Sequence, residues 1–115
     1  MTIFHITTAA TWAAAQASGA LSPASLASEG FVHCSTGAQV PGTLGRHFRG
    51  QRGLLLLRLD EAKLDAAKLL WEAPPGRPDE RYPHYYAPLP VAAIVSTHPA
   101  EPDAHGGFAS VGVPS

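Results

Sequence analysis

Two of the six histidines in this 115-residue chain stand where proton transfer is expected. His33 lies near the end of a short apolar stretch, two residues before Ser35 and three before Thr36. His84 lies among aromatic residues in the run 82–86, Tyr-Pro-His-Tyr-Tyr. An imidazole has an ordinary pKa near 6.5, so it can accept or donate a proton at neutral pH. The sequence therefore predicts that any chemistry centres on His33 and His84.

A carboxylate and an aromatic side chain accompany these histidines. Glu72 follows Trp71 in a predicted strand, where it would orient a hydroxyl, act as a base, or simply meet solvent. Tyr86 stands near prolines that stiffen the chain, and such aromatic walls are typical of a pocket for a flat ring. An ordinary packed loop has the same composition. Glu72 is a candidate catalytic residue and Tyr86 a candidate binding residue.

The first predicted strand, residues 2–7, carries a further histidine. Side chains alternate along a strand, so His5 and Thr7 share one face and would reach the same ligand. Alternatively, His5 only fills a half-buried strand position.

A helix start beside His33 predicts an anion site. Thr36 and Gln39 match the Thr-x-x-Gln capping box, and the free backbone N–H groups of a helix N-terminus attract phosphate or carboxylate. Ser35 and Thr36 would add hydroxyl donors, or would only cap the helix. A basic stretch follows, which would meet an anion or remain solvated; it comprises Arg46, His47, Arg49 and Arg52.

Other constellations are weaker. Cys34 and His33 are adjacent in a predicted strand and point to opposite faces, so they do not form a nucleophilic pair. A zinc site built from His5, His33 and His84 is an alternative, but the close ligand spacings that would make it specific are absent. The sequence holds neither a GxGxxG motif nor a Walker loop.

The pattern of elements predicts an α+β fold, because strands alternate irregularly with short helices. The leucine run at 54–57 implies a strand buried on both faces. We expect a single domain over residues 1–98 and a loosely ordered tail over 99–115, where large apolar groups are few. Predicted strands span residues 2–7, 31–34, 53–60, 69–73 and 91–97, predicted helices follow Thr8 and Thr36, and a polar loop spans 74–83.

Composition limits the function. Apolar residues make up 45% of the chain and charged residues 15%, and the formal net charge is −1, which does not favour general nucleic-acid binding. The single cysteine forms no internal disulfide. The start lacks the pattern of a secretion signal, and the longest aliphatic run is too short to cross a bilayer. We therefore expect a cytoplasmic protein that does not enter membranes.

The run 25–36, Ser-Leu-Ala-Ser-Glu-Gly-Phe-Val-His-Cys-Ser-Thr, resembles the central motif of domain-of-unknown-function family 952. The resemblance extends in order from about Ile3 to His98, and one departure is Ala87, where glycine is expected. The other matching pieces are 4–7, Trp12, Gln39-Val40, Arg49-Gly50, 54–57, Trp71-Glu72 and 83–89.

The resemblance implies an ADP-ribosyltransferase-like fold. In that fold two small, mainly antiparallel sheets form a cleft for NAD, with short helices packed on them. His5-Ile6-Thr7 resembles the piece that holds the nicotinamide ribose, and His33 would stack on nicotinamide. The third catalytic position would be Glu72 or His84.

We therefore expect a small enzyme that binds NAD or a related ADP-ribosyl nucleotide and performs displacement at the ribose carbon. The alternatives are a non-catalytic module that binds a nucleotide or another anionic ligand, and a histidine-ligated metalloprotein. The candidate catalytic residues are His33, His84 and Glu72, and the candidate cofactor-binding residues are His5, Thr7, Ser35, Thr36, Arg49 and Tyr86.

Overall fold

The leucine run forms the centre of the largest sheet in the computed structural model, which describes residues 2–109 and 111–114. The sheet is antiparallel, with strand order β4-β1-β5-β9. Its strands are β1 (Ile3–Thr8), β4 (Ser35–Thr36), β5 (Leu54–Leu59) and β9 (Ile94–Ala100). Leu54 and Leu56 pack into one apolar cluster, and Leu57 and Leu59 pack into another. The central strand is therefore buried on both faces, as predicted.

Two smaller antiparallel sheets complete the strands. A three-stranded sheet has the order β3-β7-β6, and a two-stranded sheet pairs β2 with β8. Their strands are β2 (Ala20–Leu21), β3 (Val32–His33), β6 (Leu69–Glu72), β7 (Tyr82–Tyr85) and β8 (Leu89–Pro90). The predicted α+β class with antiparallel sheets and short helices is confirmed.

Local signals fix the first helix, α1 (Ala9–Ser18). The Thr8 hydroxyl accepts a hydrogen bond from the Thr11 N–H at 3.1 Å and so caps the N-terminus. Gly19 ends the helix with φ 91°, a left-handed conformation that glycine adopts without a steric penalty. The buried Ala15 faces the cluster that contains Leu57.

Two further α-helices stand before β3 and after β4 in the sequence. They are α2 (Ala24–Glu29) and α3 (Val40–His47). The predicted capping box forms, because the Thr36 N–H donates to Gln39 Oε1 at 3.0 Å and the Gln39 N–H donates to Thr36 Oγ1 at 3.3 Å. The helix itself begins only at Val40, with Pro41 in its first turn. Short 3₁₀ helices span 61–63, 66–68 and 91–93.

The chain passes from one sheet to another within residues 32–36. β3 pairs with β7, and after Cys34 the chain continues as β4, which pairs with β1. The Cys34 N–H donates to the carbonyl oxygen of Pro83 at 3.0 Å, which holds this crossing point against β7. The expectation of one strand leading straight into a helix was therefore wrong. Ser35 and Thr36 are strand residues.

The segment after residue 98 differs from the loose tail expected there. β9 continues to Ala100, and the Phe108 side chain is buried in the cluster that contains Leu54 and Leu56. The Gly50 N–H donates to the carbonyl oxygen of Gly106 at 2.9 Å. The packing of this segment therefore extends the folded unit beyond residue 98, the expected end of the domain.

Replacement of Phe108 by alanine tests this packing. We expect Phe108→Ala to lower the free energy of unfolding by about 3 kcal/mol, because the substitution leaves a cavity in a buried cluster. Urea denaturation measures the change. Val95→Ala is the matched control, since Val95 is 56% exposed, and it should change stability by less than about 0.5 kcal/mol. Equal effects of the two substitutions would show that the segment does not pack on the core.

Candidate functional site

A cleft of about 920 Å³ lies between β1 and the three-stranded sheet. Strands from both sheets contribute to its wall, so residues far apart in the sequence meet there. Of the candidate residues, the cleft is lined by His5, Thr7, His33, Ser35, Glu72, His84 and Tyr86. The structure thus brings together most of the residues that the sequence indicates.

His5 is a neutral hydrogen-bond acceptor at the base of this cleft. The ring is 6% exposed, and its Nδ1 lies 2.6 Å from the carbonyl oxygen of His33, so Nδ1 carries the proton and donates it. Burial lowers the pKa of His5 to about 4, although the bond to the His33 carbonyl opposes part of that effect. Nε2 is buried and has no hydrogen-bond partner among the described residues.

Glu72, His84 and Tyr86 form one hydrogen-bonded group on the opposite wall. Glu72 Oε1 accepts from His84 Nδ1 at 2.8 Å and from the Tyr86 hydroxyl at 2.5 Å. The Tyr86 hydroxyl, and then His84, hold the pKa of Glu72 below its ordinary value, and the same bond raises the pKa of Tyr86. Because Glu72 engages Nδ1, any further hydrogen bond of the His84 ring is made through Nε2.

His33 belongs to a second histidine–carboxylate pair. Its Nε2 lies 2.7 Å from Glu29 Oε2, and both side chains are about half exposed. His33 and His84 are register partners on β3 and β7, and their ring centroids are 5.3 Å apart with the planes near perpendicular. Glu29 was not among the sequence candidates. Glu29 lies four residues before His33, at the end of α2. The sequence alone does not indicate the pair, because α2 was not predicted.

Phe31 is the second residue that sequence reasoning missed. Its ring stacks on His84 with centroids 4.1 Å apart and planes 22° apart, and it meets His33 edge-on at 4.7 Å. Tyr86 lies 5.3 Å away. Strand alternation was the available signal, because residues 31 and 33 share one face of an extended chain. These rings make an aromatic wall that borders the cleft.

Two of the candidate binding residues lie elsewhere. Thr36 is engaged in the capping box with Gln39, so its N–H is not available to an anion. Arg49 donates from Nη2 to the carbonyl oxygen of His105 at 3.0 Å, on the C-terminal segment. Both residues therefore serve structural contacts and not the cleft. Ser35 lines the cleft but is buried, and its hydroxyl lies 3.1 Å from that of Thr43.

A cationic group lies at another part of the cleft, where Arg46, Arg77 and Tyr82 line the wall. Arg46 Nη2 donates to the Tyr82 hydroxyl at 2.5 Å, and that hydroxyl donates to Glu80. Burial, then the bond to Glu80, raises the pKa of Tyr82. Arg46 was noted in the basic stretch, whereas Arg77 and Glu80 carried no sequence signal.

Cys34 lines the cleft but is chemically inert. Burial raises the pKa of its thiol to about 12, so the thiolate is scarce at neutral pH. Across residues 2–109 and 111–114, no three histidine, cysteine or carboxylate side chains are grouped to hold a metal ion. Over the same residues, no helix is both long enough and apolar enough to cross a membrane.

The family described as "Protein of unknown function (DUF952)" matches residues 6–97. The crystal structure of protein CC0527 from Caulobacter crescentus is similar to this chain, with 36% identity, a TM-score of 0.84, and coverage of 93% of this chain and 92% of that one. The solution NMR structure of CC0527 gives 37% identity, a TM-score of 0.79, and coverage of 94% and 91%. No protein with a curated description matches.

The buried, neutral state of His5 predicts a pH dependence of stability. The pKa of His5 is about 4 in the folded chain and near 6.5 when unfolded. The unfolded chain therefore binds a proton first, and stability falls as pH drops from about 6.5 towards 4, by up to about 3 kcal/mol. His5→Asn keeps a donor for the His33 carbonyl and does not titrate.

Urea denaturation of both proteins between pH 7.5 and pH 4 measures this contribution. The difference in unfolding free energy between the wild type and His5→Asn should change steadily below pH 6.5 and be constant above it. A difference that is constant over the whole range would contradict the neutral, buried assignment of His5.

Proposed function

The chain belongs to the DUF952 family, and we propose that its cleft binds NAD or a related ADP-ribosyl nucleotide and catalyses displacement at the ribose carbon. The observation that carries the proposal is the unpaired Nε2 of His5, a buried acceptor on a residue that lines a cleft with an aromatic wall. Antiparallel sheets border the cleft on two sides, which agrees with the coarse expectation of a cleft between such sheets but is not specific to ADP-ribosyltransferases.

The free acceptor on His5 favours a ligand that donates a hydrogen bond. Leaving a buried acceptor unpaired costs about 1–3 kcal/mol, so a ligand O–H or N–H placed there gains affinity. Ribose hydroxyls and the carboxamide of nicotinamide both supply such donors. Thr7 lies on the same strand face and lines the same cleft, so its hydroxyl is available to a neighbouring ligand atom.

The aromatic wall suits a flat ring. The Phe31 ring stacks on His84 and lies 5.3 Å from the Tyr86 ring, and planar ligands gain dispersion and electrostatic contact against such rings. His33 adds an edge-on ring beside Phe31. A nicotinamide ring placed against this wall would bring the attached ribose carbon near the histidines.

His84 is the proton acceptor in the proposed reaction. The bond between ribose C1′ and the nicotinamide nitrogen breaks, and nicotinamide leaves with the electron pair. The oxygen of water, or of an acceptor hydroxyl, forms the new bond to C1′ and gives its proton to His84 Nε2. Glu72 stabilises the resulting imidazolium through Nδ1. Glu72 thus orients His84, and the two share one role.

Substitution of His5 and His84 tests the proposal in two separate steps. His5→Asn removes the Nε2 acceptor but keeps the bond to β3, and it should weaken NAD and ADP-ribose binding at least about tenfold by calorimetry. His84→Asn keeps a donor to Glu72 but removes the proton acceptor and one ring of the aromatic wall. It should lower the rate of nicotinamide release at least about hundredfold, which is a larger effect than its effect on binding.

The control is His98→Asn, because His98 lies on β9 and bonds Ser96 away from the cleft. Binding and turnover should match the wild type. No binding of either nucleotide at millimolar concentration would overturn the whole proposal. Tight binding without any release of nicotinamide would reject catalysis and leave a non-catalytic binding module.

A further inference from the structure

We propose that Arg46, Arg77 and Tyr82 form an anion subsite for the phosphate or pyrophosphate group of the ligand, and that Glu80 partly neutralises this subsite when it is empty. The inference deepens the proposed function and rests on it for the identity of the whole nucleotide. The charges and contacts of these residues alone indicate an anion.

Two arginines from distant parts of the chain share one carboxylate. Arg46 Nη2 lies 3.9 Å from Glu80 Oε1, and Arg77 Nε lies 3.5 Å from Glu80 Oε2. Both arginines line the cleft, and a little over a third of each side chain is exposed. The group therefore keeps one uncompensated positive charge, although the whole chain is slightly acidic.

Within residues 2–109 and 111–114, these arginines use few of their hydrogen-bond donors. Each guanidinium carries five N–H donors. Arg46 commits Nη2 to the Tyr82 hydroxyl, and the buried Nε of Arg77 has no hydrogen-bond partner within the described part of the chain. Glu80 thus forms an ion pair with Arg77 but does not accept a hydrogen bond from its Nε. An incoming anion would supply the missing acceptors.

Phosphate fits this subsite better than carboxylate. Two guanidinium groups suit an anion that has several acceptor oxygens and more than one negative charge. The Thr43 hydroxyl lines the same cleft as Arg46, which lies one turn further along α3. The carboxylates of Glu29 and Glu72, which also line the cleft, are already hydrogen-bonded to histidines.

The subsite replaces the one that the sequence predicts. The expected phosphate site at Ser35 and Thr36 does not form, because the capping box occupies Thr36 and Ser35 is buried against Thr43. The positive charge instead comes from α3 and from the loop that precedes β7. Glu80 is not among the residues that line the cleft, and its negative charge lies 3.9 Å from Arg46 and 3.5 Å from Arg77, so it would weaken the attraction of a phosphate to both arginines.

Calorimetry with inorganic pyrophosphate at low salt tests the subsite without the rest of a nucleotide. We expect Arg46→Gln and Arg77→Gln each to weaken binding at least about tenfold, since each removes a charge-assisted donor. Glu80→Gln keeps an oxygen that accepts from Tyr82 but removes the charge. It should tighten binding several-fold, and a gain of affinity does not arise from poor folding.

Arg49→Gln is the matched control, because it removes the same charge from a residue outside the cleft. Its affinity for pyrophosphate should equal that of the wild type. An equal loss in Arg49→Gln, an unchanged affinity in Arg46→Gln and Arg77→Gln, or a weaker affinity in Glu80→Gln would overturn the inference.

The same titrations separate this inference from the proposed function. Pyrophosphate binding that depends on Arg46 and Arg77, without binding of NAD or ADP-ribose, keeps the anion subsite and rejects the nucleotide. Nucleotide binding that depends on His5 but not on either arginine keeps the proposed function and rejects the subsite.

Discussion

The hydrogen bond from His5 Nδ1 to the carbonyl oxygen of His33 is the contact on which the site depends. It joins β1 of the four-stranded sheet to β3 of the three-stranded sheet, so it fixes the two walls of the cleft against each other. The same bond determines the tautomer of His5, because a carbonyl oxygen accepts only from a protonated nitrogen. Nε2 is consequently left as an acceptor in a buried position, which is the property that a ligand would use.

The crossing of the chain at Cys34 makes this contact possible. Two residues of β3 pair with β7, and two residues of β4 pair with β1, so the peptide around Cys34 connects both sheets. The register then places His33 opposite His84 on one sheet and Ser35 opposite Phe4 on the other. Three distant stretches of sequence meet at one cleft because a single short segment belongs to both of its walls.

Sequence reasoning succeeded where the signal is local. The cap at Thr8, the capping box at Thr36 and the buried leucine strand all follow from neighbouring residues. The strand β7 was not predicted, because it contains Pro83. A proline has no N–H to donate within a sheet, so this part of the sequence was assigned to a loop. In the structure, the carbonyl oxygen of Pro83 accepts a hydrogen bond from the Cys34 N–H.

The roles of individual site residues depended on tertiary contacts that no pattern reveals. Arg49 bonds the C-terminal segment, whereas Arg46, three residues earlier on α3, lines the cleft. Proton NMR of the histidine rings during titration with ADP-ribose tests the account most directly. We expect the His5, His33 and His84 resonances to shift together and to saturate with one dissociation constant, while His98 and His105 stay unchanged. Unchanged His5 and His84 resonances, or equal shifts of all the rings, would contradict a shared site.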